Sequence, residues 1–171
     1  MIVRRRAEKK ASHNARQSAR RLLPLWFSAI ALAVCACGSA NVPTIEATQF
    51  APSLGVDLAH STRTADGTYF RDVQAGNGPQ AQTGQALEVH YTGWLADGTQ
   101  FDSNVDRAGS FGFTLGARQV IEGWDQGLAG IQAGAARQLI IPPAAGYGAS
   151  GSGPIPSNAI LVFTVRVDAV R

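Results

Sequence analysis

Apolar and polar residues alternate along most of the chain after residue 64, with the period of strands. Leu87, Val89 and Tyr91 are separated by Glu88, His90 and Thr92, the mark of a half-buried strand. Leu161, Phe163, Val165 and Val167 repeat the alternation over residues 160–167. Shorter pieces at 67–73, 99–103, 110–114 and 137–141 read the same way, the last stopped by Pro142 and Pro143. Asp97-Gly98 is a hairpin turn signal, and Gly76-Asn77-Gly78-Pro79 is a second turn cluster. Only one stretch breaks the two-residue period. Ile121, Trp124, Leu128 and Ile131 recur at steps of three, four and three, which places them on one helix face. A lone helix among strands must have its apolar side covered by the sheet. The pattern predicts an α+β fold over residues 64–171, an antiparallel β-sheet wrapped around one short α-helix.

The chain before residue 64 divides in two. Residues 37–63 carry Pro43, Pro52, several Ser and Thr, and only scattered apolar positions, which predicts a flexible tether of roughly 20 residues. Within it Ile45, Phe50, Leu54 and Leu58 have the spacing of one loose helical face. Residues 1–36 have the order of an export signal: a basic run, then the uncharged Leu22 to Val34, then small residues. The apolar run is shorter than the roughly 18–20 residues that cross a bilayer, and Pro24 interrupts it.

Charge sharpens this division. The formal net charge is +3, but residues 1–21 hold eight basic residues against the single acid Glu8. Beyond them 7 basic residues face 11 acids, a net of −4, and there is no lysine. A folded domain of this charge is not a nucleic-acid binder. Val34-Cys35-Ala36-Cys37-Gly38 resembles the lipobox of bacterial lipoproteins, with Cys37 as the acylated residue. Ordinary signal cleavage after Ala40 is the alternative. The expected location is the exported face of a membrane, as a lipoprotein facing the periplasm, or otherwise as a soluble periplasmic or secreted protein. Neither cut leaves two cysteines to pair, so the domain relies on its core.

Much familiar chemistry is missing. Of the three histidines only His60 and His90 lie beyond residue 36, and no Ser–His or Cys–His pair can be assembled from their surroundings. No cluster of side chains has metal-ligand spacing. Gly148-Ala149-Ser150-Gly151-Ser152-Gly153 lacks the Lys and the following helix of a phosphate cradle and reads as a mobile surface loop. What remains is a set of aromatics beside turns: Tyr91, Phe101, Phe111, Phe113, Trp124, Tyr147 and Phe163. Most would serve as core. Two carry hydroxyls, however, and Asp102 follows Phe101 directly. An apolar pocket with a few polar groups accounts for that combination.

The order His90-Tyr91-Thr92-Gly93, Asp97-Gly98-x-x-Phe101-Asp102-Ser103, Val120-Ile121-x-Gly123-Trp124 and Ala145-Gly146-Tyr147-Gly148, then Leu161-Val162-Phe163, resembles the FK506-binding protein (FKBP) family of peptidyl-prolyl isomerases. The resemblance covers about residues 64–171. It implies a pocket lined by Tyr91, Phe101, Asp102, Phe111, Val120, Ile121, Trp124, Tyr147 and Phe163, with Ile155 as the aliphatic residue of the pocket-side loop. It further implies that Tyr91, Asp102, Trp124 and Tyr147 carry the rotation of Xaa-Pro bonds. Trp124 would lie under the proline ring, and the Ile121 N–H and the Tyr147 hydroxyl would bond carbonyls. No cofactor or metal is implied. The partners are proline-containing segments of folding proteins, with macrolides as inhibitors. Loop 150–156 is about one residue shorter than in the best-known members and lacks a His they often carry. The stretch Arg107-Ala108-Gly109-Ser110 also departs, in a region tied to partner choice. Two other readings stay open at this point: a module that binds proline segments without turnover, and a chaperone acting through broad apolar contact.

Overall fold

The alternating segments pair as one antiparallel sheet. In this computed structural model residues 42–171 are described, and the leader expected over residues 1–36 and the acylation site Cys37 lie outside them. The strands are β1 (Thr62–Arg63), β2 (Tyr69–Gln74), β3 (Ala86–Leu95), β4 (Gln100–Ser103), β5 (Phe111–Thr114), β6 (Ala136–Ile141) and β7 (Leu161–Val170). Their order is β1-β2-β6-β7-β3-β4, and β5 also pairs with β3. Long β3 thus serves two short partners along one edge. Ala86 to Val89 pair with β5, and Thr92 to Trp94 pair with β4. The Asp97-Gly98 turn joins β3 to β4 as expected: the Gly98 N–H donates to Leu95 O at 3.0 Å, and Gly98 adopts φ 89°.

One face of the sheet carries the main core, with Leu87, Val89, Leu139, Ile141, Leu161, Phe163, Val165 and Val167 all buried. The single α-helix among the described residues, α1 (Glu122–Gly127), lies on this face. It is shorter than the apolar spacing predicts. Ile121 is its N-cap, Leu128 its C-cap, and Ile131 falls in the turn beyond, although Trp124, Leu128 and Ile131 are all buried. Glycine weakens helices, yet α1 contains two. A Cβ at Gly123 would meet Ile141 Cγ2 at 2.5 Å, and one at Gly127 would meet Leu139 Cδ2 at 2.7 Å. The two glycines let the helix backbone lie directly on β6, at the cost of helix length. The carbonyls left over at its C-terminal end are taken by buried Arg137 of β6. Its Nη1 donates to Gly127 O at 2.9 Å and to Ala129 O at 3.1 Å. The same guanidinium pairs with Asp72 at 2.6 Å and covers the Phe70 ring at 4.4 Å.

The tether expected over residues 37–63 is corrected from Val42 onward. Instead of a flexible spacer, the chain runs through three 3-10 turns, Ile45–Ala47, Pro52–Leu54 and Leu58–His60, and enters β1. Ile45 is 2% exposed, in a second apolar cluster with Ile140, Ile160 and Val162, against which Phe50, Leu54, Val56, Leu58 and Tyr69 pack. This cluster lies on the outer face of the sheet, because Ile140 and Val162 alternate with the inward Leu139, Ile141, Leu161 and Phe163. The spacing of Ile45, Phe50, Leu54 and Leu58 therefore marks a packed face, but one made by turns. Pro52 and left-handed Gly55 (φ 57°) prevent a continuous helix there. The Leu54 carbonyl accepts from Gln138 Nε2 at 2.7 Å and the Gly55 carbonyl from Arg71 Nη2 at 3.0 Å. This strap, residues 42–60, is an integral layer of the fold.

Candidate active site

Between α1, the β3–β4 edge and the loop after β6 the chain leaves a cavity of about 170 Å³. It is lined by Tyr91, Phe101, Asp102, Phe111, Gln119, Val120, Ile121, Trp124, Tyr147 and Phe163. Trp124, 4% exposed, forms the floor. Its ring meets Tyr91 at 5.2 Å and Phe163 at 5.3 Å, both edge-to-face, and Phe111 at 6.2 Å. Phe101 continues the wall, edge-on to Phe163 at 5.5 Å. Such orthogonal contacts suit the ring quadrupoles and fix each ring against its neighbours. Gly93 makes the arrangement possible. A Cβ there would stand 2.7 Å from both Phe101 Cζ and Phe163 Cε1, so only a glycine lets the two rings close over β3.

The polar groups sit at the mouth. The Tyr91 hydroxyl donates to Asp102 Oδ2 at 2.6 Å, while Asp102 Oδ1 accepts from the Ser103 N–H at 2.8 Å. Arg107 Nη2 stands 3.6 Å from the same Oδ1. Burial, and then the hydrogen bond to Asp102 and its charge, push the Tyr91 hydroxyl up to about 12. Tyr147 is also raised, first by burial and then by the Asp102 charge. Both tyrosines therefore keep their protons at neutral pH and can donate. Among the described residues the Ile121 N–H, at the helix entry, finds no acceptor. Ile121 itself is one of the residues that line the cavity.

The structure thus gathers nine expected residues around one cavity. Ile155 is corrected: it is 7% exposed and belongs to the core cluster, outside the lining. Reciprocal backbone bonds between Ser152 and Ile155, 2.9 Å each, close the loop so tightly that the side chain turns inward. Two residues were not anticipated. Gln119 lines the cavity, its Oε1 accepting from the Thr114 N–H at 2.8 Å, and Arg107 pairs with Asp102. Position was the available signal for both: Gln119 directly precedes Val120, and Arg107 lies five residues after Asp102 in a turn. His90 lies away from the cavity, bonded through Nδ1 to Asp168.

The model of the FKBP-type peptidyl-prolyl cis-trans isomerases matches residues 78–168, more than half of the chain. The chain belongs to this family. An "FK506-binding protein" of Neisseria meningitidis serogroup B is 48% identical over 102 residues, covering 59% of this chain and 94% of that protein. "Peptidyl-prolyl cis-trans isomerase FKBP15-2" of Arabidopsis thaliana is 51% identical over 93 residues, 54% of this chain and 57% of that one. Among solved structures, FkpA from Escherichia coli superposes with a TM-score of 0.60 at 35% identity, covering 66% of this chain and 52% of that one. The chain is a peptidyl-prolyl cis-trans isomerase of FKBP type, and its described residues have the antiparallel sheet and short helix of that fold. A binding module without turnover and a broad-surface chaperone are set aside as primary readings. The matched region begins at residue 78, so the strap and β1 and β2 lie upstream of it.

Proposed function

We propose that this FKBP domain turns Xaa-Pro bonds by seating the proline ring on Trp124 and holding the flanking carbonyls with the Ile121 N–H and the Tyr147 hydroxyl. The single observation that carries the reading is the aromatic cavity over Trp124, with Asp102 as the one carboxylate in its lining. Rotation about the prolyl amide must pass a barrier of about 18–20 kcal/mol, because twisting breaks the C–N resonance. Uncatalysed exchange therefore takes about 10–100 s. A planar amide is strongly dipolar and its twisted form less so. Walls of Trp124, Phe163, Phe111 and Phe101 solvate the planar form poorly, so they favour the twisted form relative to it. That difference is what accelerates the step. Asp102, anchored by Tyr91, supplies a fixed field beside the rotating carbonyl. Nothing covalent forms, and every role falls to groups already in the chain.

The basic and apolar leader with its cysteine supports a further part of the proposal: the enzyme works at the cell envelope, on exported proteins whose folding waits on proline. Macrolides of the FK506 type are the expected inhibitors, a reading supported by the 48% identity to a protein named for that ligand. The test is cis–trans exchange of a short Xaa-Pro peptide followed against protein concentration. Tyr147→Phe is expected to lower kcat/KM about three- to tenfold, the worth of one hydrogen bond. An unaltered kcat/KM in that variant would reject the carbonyl-holding role of Tyr147.

A further inference from the structure

The strap that covers the outer face of the sheet also reaches the wall of the pocket. The Ala51 N–H donates to Ala96 O at 2.9 Å, in the turn between β3 and β4. A Cβ on Gly98, at the tip of that turn, would stand 3.1 Å from Ala51 Cβ and 3.4 Å from Ser53 Oγ, so the strap rests directly on the tip. The hairpin it touches is weakly held otherwise. β4 has four residues, pairs among the described residues only with β3, and its register is interrupted by a bulge between Gly93 and Trp94. Short edge strands of this kind open locally at small cost. Yet β4 is the strand that brings Phe101 and Asp102 to the cavity, where small displacements matter. The remainder of the strap is fastened to the centre of the sheet. Ile45 packs on Ile140 and Val162, and Gln138 and Arg71 bond the carbonyls of Leu54 and Gly55.

We propose that residues 42–60 are a positioning element of the isomerase, a brace that runs from the middle of the sheet to the β3–β4 turn and holds Phe101 and Asp102 in register with Trp124. Substrate handling then depends on a segment upstream of the family-matched region. The proposal rests on the reading of the cavity as the isomerase site, so its test carries one measurement independent of activity.

Ala51→Pro in the full chain is the sharpest variant. Ala51 has φ −58°, which proline adopts, and the change both removes the N–H donor to Ala96 and sets the ring Cδ against the Ala96 carbonyl, so it parts the strap from the turn. Amide exchange at residues 100–103 is expected to speed up by at least about three- to tenfold, the worth of the one lost hydrogen bond, with β6 and β7 unaltered. kcat/KM for an Xaa-Pro peptide falls with it. Ile45→Ala, which loosens the other end of the brace, should give the same signature at residues 100–103 together with a lower Tm. Unchanged exchange in β4 in both variants overturns the brace. Faster exchange there with kcat and KM both unaltered overturns its role in positioning. A failure of the isomerase reading itself would appear elsewhere, as no acceleration by the unmodified chain.

Discussion

Tyr91 belongs to the core by its ring and to the site by its oxygen. The ring stands edge-on against Trp124, and the hydroxyl fixes Asp102. Tyr91→Phe keeps the first contact and deletes the second. It is expected to lower kcat/KM about fivefold and to cost roughly 1 kcal/mol, since a bond to a half-exposed carboxylate is worth less than a buried one. Its alkaline behaviour gives a second measurement. The hydroxyl loses its proton near pH 12 in the folded chain, against about 10 when unfolded. Below pH 10 both states hold the proton, and the stabilising contribution is complete. Between those values the unfolded chain alone releases it, so stability falls as pH rises. Tyr69 and Tyr147 are raised as well and share in the decline. Thermal melts across that window should fall less steeply in Tyr91→Phe than in the unmodified protein. Equal slopes would dissociate Tyr91 from the Asp102 network. At this scale the aromatics of the site were legible, because a Trp on a helix and a Phe-Asp pair after a hairpin turn have few alternative uses. Gln119 was not, since a polar residue beside a turn looks like ordinary surface. Ile155 misled because its direction depends on how the loop from Ser152 closes, and nothing in the local pattern specifies that closure.

The short helix shows why local propensity and tertiary packing part company. An Ala in place of a helical Gly ordinarily stabilises by about 0.5–1 kcal/mol. At Gly123 the added methyl would overlap Ile141, and overpacking costs about 1–3 kcal/mol. The second term is larger, so Gly123→Ala is expected to lower Tm and to lift Trp124 relative to the sheet, with a rise in KM. A higher Tm in that variant would mean that α1 does not need its close approach to β6. The strands were readable from alternation, and the pairing of β3 with β4 from the Asp97-Gly98 turn. The helix length was overread, because Leu128 and Ile131 stay buried after the helix has ended. The strap reads as a tether because Pro43, Pro52 and the scattered Ser and Thr have linker composition, although the spacing of Ile45, Phe50, Leu54 and Leu58 already marks its packed face. Its cover left a second trace. Leu139-Ile140-Ile141 is an unbroken apolar run, and β6 is buried at all six positions. A strand apolar on both sides needs a layer on both sides.

For the molecule as a whole, the family fold organises residues 78–168, and the upstream strap extends the folded unit back at least to Ile45. Mass spectrometry of the mature protein checks the leader directly. An acylated Cys37 at the N-terminus is expected, and a start at Asn41 would replace the lipoprotein reading with simple secretion. The buried Ile45 sets a length scale for that first outcome. It lies eight residue steps after Cys37, which even fully extended reach only about 26–29 Å. A folded unit of this size has a radius of gyration of about 14 Å. An acyl chain at Cys37 would therefore keep the catalytic body within about its own diameter of the bilayer. Its clients would be chains met at the membrane surface, and its encounter rate would follow the two-dimensional density of those chains rather than their bulk concentration.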